Sequence, residues 1–205
     1  MIYKATIKKE IKIFLLVFEL IYTGFSLQAQ ERLDKNFKKL ADKYDLEYQI
    51  PKNYLGIAAD DHYQPWADFH QMPLRHSIKY RKHGIVIAFT MISTKPDTPK
   101  MIRMREVMGG LDKISLVALT IEADTTLSKV KYLDTLQLKK VNANRGVIFN
   151  MRMNNKYIGT YARCKKVEIY KDNVGRAEIL FFYNKGDDAL VDEEIKKTWG
   201  MLKFK

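Results

Sequence analysis

The sequence predicts an α+β domain, an antiparallel sheet packed by an N-terminal and a C-terminal helix. Three observations predict it. Leu33, Phe37, Leu40 and Tyr44 recur at spacings of four, three and four, the apolar stripe of an amphipathic helix. Runs of apolar, β-branched and aromatic residues, joined by Gly, Asn and Asp, fill the middle and the last third. A second amphipathic stretch, ALVDEEIKKTWGMLKF, closes the chain.

Ahead of the first helix, Lys4, Lys8, Lys9 and Lys12 precede the run IFLLVFELIYTGFSLQAQ, residues 13–30. A basic start, an apolar middle and a small residue at the end form the pattern of a secretory signal, here read as residues 1–29 with cleavage after Ala29. A permanent span needs about 20 apolar residues with few or no charges. Glu19 splits this run, and a carboxylate at mid-bilayer costs roughly 2.5–3.5 kcal/mol. The expectation is an exported protein, periplasmic or secreted, with no permanent membrane span. No cysteine lies near the junction to accept a lipid.

Residues 30–205 then form one α+β domain, long enough for a real core. ERLDKNFKKLADKYD, residues 31–45, is its first helix. LEYQI follows as a short strand-like run, which Pro51 ends because it has no N–H to donate. A polar, aromatic-rich loop spans Leu55 to Pro73 and holds Asp60, Asp61, His62, Trp66, Asp68 and His70. So long a loop is often functional.

LRHSIKYRKHGIVIAFTMIS predicts a β-hairpin. Leu74, His76, Ile78 and Tyr80 share one face, Lys82-His83-Gly84 turns, and Ile85–Ile92 is the continuous apolar run of a central strand. Pro96 and Pro99 break the chain, and Met101, Met104 and Met108 predict a helix stopped by Gly109-Gly110. ISLVALTI is rich in β-formers and predicts a strand, although a buried helix fits the same run. Thr125–Thr135 suits a short helix.

VIFNMRM, KYIGTYARCKKVEIYKDN and GRAEILFFYN predict three successive strands, with turns at Asn154-Asn155 and at Asp172-Asn173-Val174-Gly175. Leu190, Ile195, Trp199 and Leu202 mark the closing helix, with an aspartate of Gly186-Asp187-Asp188 as its N-cap.

The IPKNY entry, the HSIKYRKHGIVIAF hairpin, the consecutive C-terminal strands and the EEIKKTWGMLKF closing segment give a layout that resembles the PsbP-like fold. The LQAQ junction is similar to those of exported Bacteroidetes proteins. The resemblance implies a sandwich of accessory or binding function rather than an enzyme, and carries over no functional residue.

The formal charge is +12, and removing residues 1–29 lowers it to +10 by taking away four lysines and two glutamates. The basic residues are spread along the chain among acids, with no arginine-rich tract or zinc-finger spacing, so nucleic acid is set aside as a partner. The excess serves either solubility or attraction to an acidic protein, envelope component or anionic surface. Cys164 is the single cysteine, which excludes an internal disulfide. It reads as a buried structural thiol.

For binding, the candidates are Tyr63, Trp66 and His70 in the long loop, Arg103 on the basic side of the methionine helix, and Arg145 as a carboxylate clamp. The alternative is a metal-dependent hydrolase, with Asp61, His62 and His70 as ligands. No H-E-x-x-H, P-loop or dinucleotide motif supports it, and no cofactor is expected.

Overall fold

The computed structural model describes residues 31–60, 62–65, 74–93 and 116–205. The chain is α+β, with helices and a large antiparallel sheet. Helix α1 covers residues 31–43. Strands β1 (Leu46–Tyr48), β2 (Tyr54–Ile57), β3 (His76–Tyr80) and β4 (Val86–Ser93) follow. Then come α2 (Leu116–Glu122), β5 (Lys131–Tyr132), α3 (Thr135–Val141) and β6 (Arg145–Met151). Strands β7 (Arg163–Lys171) and β8 (Gly175–Tyr183), helix α4 (Asp188–Thr198) and strand β9 (Leu202–Phe204) complete it.

Among the described residues, seven strands form one sheet in the order β2-β3-β4-β8-β7-β6-β5, and β1 pairs with β9 in a separate ribbon. Every pairing is antiparallel. The apolar run of β4 has its reason in this order. It lies between β3 and β8, and Val86, Ile87, Ala88 and Phe89 are all buried, so both faces are covered. The β7–β8 hairpin closes through Asp172-Asn173-Val174, with Asn173 in the left-handed region at φ 61°.

The two faces carry two core clusters. On one, Ile87, Phe89, Ile169, Ile179 and Phe181 of the sheet join Phe37 and Ala41 of α1, Val191 and Ile195 of α4, and Leu46, Leu202 and Phe204 of the ribbon. On the other, Val147, Phe149, Leu180 and Phe182 join Leu119, Ala123, Tyr63, Tyr157 and Tyr161.

Four local readings change. Leu116–Glu122 is a helix, where the β-rich composition predicts a strand; Leu119 within it and Ala123 just after it, four apart, are buried. Helical structure after Thr125 begins only at Thr135, because Asp134 and Gln137 form a capping box: Gln137 N–H donates to the Asp134 carboxylate at 2.8 Å, and Asp134 N–H donates back to the Gln137 side chain at 3.0 Å. Tyr54–Ile57 is an edge strand that overlaps the start of the stretch read as loop. The closing helix ends at Thr198; Gly200, at φ 91°, turns the chain so that Leu202–Phe204 pairs with β1.

Candidate functional site

Asp61, Trp66, His70 and Arg103 lie outside the described residues, as do residues 1–29 and the Met101, Met104 and Met108 stripe. Tyr63 is buried at 3% exposure, with its ring edge-on to Tyr157 and Phe182 and its hydroxyl donating to the Asn155 carbonyl at 2.9 Å. Arg145 is half-exposed and pairs with Asp172 across the β7–β8 turn. The two are not brought together: Phe182 sits at one end of β8, whereas Arg145 lies beside Tyr170, whose partner Arg176 is at the other. His62 is exposed.

The remaining histidines, buried His76 and half-buried His83, stand in ion-pair geometry. His76 Nε2 lies 3.0 Å from Asp34 Oδ1 and 3.3 Å from the Tyr48 hydroxyl, and its ring stacks on Phe37. Burial lowers its pKa to about 4, so it is neutral at pH 7. His83 Nε2 contacts Glu194 at 2.9 Å, and Tyr54 donates its hydroxyl to the same carboxylate. These contacts fasten α1 to β3 and the β3–β4 turn to α4.

A third ionic group lies within the opposite face. Lys166, on β7, is 1% exposed, and its ammonium meets Glu122 at 2.6 Å, Glu168 at 2.6 Å and Glu178 at 2.9 Å. Arg176 completes Glu178 at 2.9 Å, and Tyr170 donates to Glu168. The β7–β8 register explains the grouping, since Glu168 stands opposite Glu178 with Lys166 two residues along the same face. Burial alone would discharge the lysine; the three carboxylates outweigh it and hold its pKa well above normal. All three ammonium hydrogens have an acceptor, so the group is closed on itself and pins α2 through Glu122. Cys164, on the same face, is buried, and desolvation pushes its thiol pKa up, away from the thiolate. Among the described residues, no group of three or more His, Cys, Asp or Glu side chains is placed to hold a metal.

The open feature is a groove beside the β1–β9 ribbon. Leu46, Tyr48, Leu202 and Phe204 point into the core, and the alternating residues Glu47, Lys203 and Lys205 point the other way. Three clefts join there, of about 580, 230 and 260 Å³, and Gln49 lines all three. Lys38, Lys140, Lys203 and Lys205 line the largest, with Trp199 at its wall; Lys52 and Lys197 line the second, Lys35 the third. Seven lysines thus face three carboxylates, Asp34, Asp42 and Glu47. Glu47 holds Lys203 at 2.9 Å and Asp42 holds Lys205, while Lys35, Lys38, Lys52 and Lys140 carry no ion pair among the described residues. A concave wall with an excess of positive charge focuses the field and concentrates anions. Sequence reading misses this groove because its lysines come from five separate segments and meet only when β9 returns to β1.

Comparison with known proteins gives no relative: no family model, no curated protein and no solved structure matches the chain. No helix among the described residues is long and apolar enough to cross a membrane.

Proposed function

We propose that this chain is an exported, non-enzymatic binding domain of PsbP-like sandwich architecture, which holds an acidic envelope component in the lysine groove beside β1 and β9. The single observation that carries the reading is the convergence of seven lysines on three joined clefts. Amphipathic lysine stems and the Trp199 indole offer contact area, and the ammonium groups offer the charge. The hydrolase alternative gains no support, since of its three ligands only His62, which is exposed, lies among the described residues.

The test is fractionation of the native host. The protein is recovered with envelope material, lacks residues 1–29 by intact mass, and is released by salt, because screening weakens exposed charge attraction. Retention of residues 1–29, or recovery in the cytoplasm, overturns export. Release only by detergent overturns the electrostatic mode.

A further inference from the structure

A second lysine-lined cleft adjoins the groove. It measures about 570 Å³ and lies between β6, α4 and the segment before β5. At the seam between the two, Trp199, which lines the groove, donates its indole N–H to the backbone carbonyl of Gln137, which lines the second cleft, at 3.2 Å. Lys129 and Lys131 stand at this cleft and carry no ion pair among the described residues. Its polar lining is fixed. Asn150, 4% exposed, donates to Ser128 at 2.7 Å, and the Tyr183 hydroxyl sits between Asn150 Oδ1 at 3.2 Å and Asp188 at 2.9 Å. Lys165, almost buried, is anchored to Asp192 at 2.6 Å.

Both clefts mix free ammonium groups with carboxylates, Asp188 and Asp192 in one, Asp42 and Glu47 in the other. That mixture discriminates among anions. A polyphosphate or an acidic peptide side chain presents acceptors, which would face these carboxylates with like charge. An acidic sugar presents carboxylates for the lysines and hydroxyl donors for the Asp, Asn and Ser oxygens.

We infer that the acidic component is a uronic-acid polymer whose chain crosses the Trp199–Gln137 seam and occupies both clefts at once. The inference rests on the groove reading above. Linking two sites on one chain turns the second contact into an intramolecular one, so affinity rises steeply once the chain spans both.

The experiment titrates the full chain with galacturonate oligomers of increasing length, alongside polyphosphate and poly-glutamate of matched charge. The expected result is a rise of about a hundredfold in affinity at a threshold length, with polyphosphate and poly-glutamate, which carry no hydroxyl donors, weaker than the long oligomer. In Lys129→Glu/Lys131→Glu the long-oligomer affinity falls to that of the short oligomers, at unchanged melting temperature. A length-independent affinity, or an indifferent Lys129/Lys131 variant, overturns the spanning chain and leaves the groove reading standing. Equal affinity for polyphosphate overturns the sugar assignment. No binding by any of the polymers overturns both.

Discussion

The Lys166 ammonium stands 2.6 Å from the Glu122 carboxylate, so the last turn of α2 is joined to the middle of the sheet by an ion pair whose lysine is buried and whose glutamate is half-buried. Glu168 and Glu178 complete the coordination, and neither they nor Lys166 is more than 5% exposed. Charges so placed are costly to desolvate and repay the cost only while every partner is present.

Lys166→Met leaves the carboxylates without their counter-charge. The expected loss is about 3–5 kcal/mol, read from urea unfolding. Adding Glu168→Gln to Lys166→Met removes one stranded carboxylate while leaving Glu178 to Arg176, and recovers part of the loss. A single substitution no worse than the double one would contradict the closed network.

The His76–Asp34 contact predicts a pH dependence with a definite sign. Between pH 6.5 and about 4, the unfolded chain binds a proton that folded His76 excludes, so stability falls as pH falls through that window. The full shift corresponds to roughly 3 kcal/mol. Asp34, whose carboxyl is raised by burial, titrates in the opposite sense above 3.8 and offsets part of it. His76→Gln flattens the stability profile between pH 6.5 and 4; an unchanged slope would show that another group sets it.

Asp134→Ala removes the capping box of α3. The expected cost is about 1 kcal/mol, with faster amide exchange at the start of α3 and little change in β7 and β8. An effect spread evenly over the sheet would contradict the local role.

The fold was legible where one physical signal dominated. The α1 stripe, the apolar β4 run and the Asp172–Gly175 turn each determine a local structure that tertiary context only confirms. Leu116–Glu122 was not legible, because a short apolar run has the same composition in a buried helix and a buried strand. Asp134-Thr-Leu-Gln carried a readable capping signal that propensity alone obscures. Of the binding residues, Trp66, His70 and Arg103 stand outside the described residues, and Tyr63 lies in the core. The lysine groove leaves no linear trace. Lys38 and Lys203 meet because Gly200 reverses the chain after α4, and no window of sequence contains both.

The most direct test of the groove is calorimetric titration of the full chain with polygalacturonate, wild type against Lys38→Glu/Lys140→Glu/Lys203→Glu, at low and high salt. These are surface positions, so melting temperature should stay within a few degrees of wild type. The account predicts wild-type binding that weakens with salt and a loss of at least about tenfold in the variant. Equal affinity of the two proteins, with both folded, would contradict it.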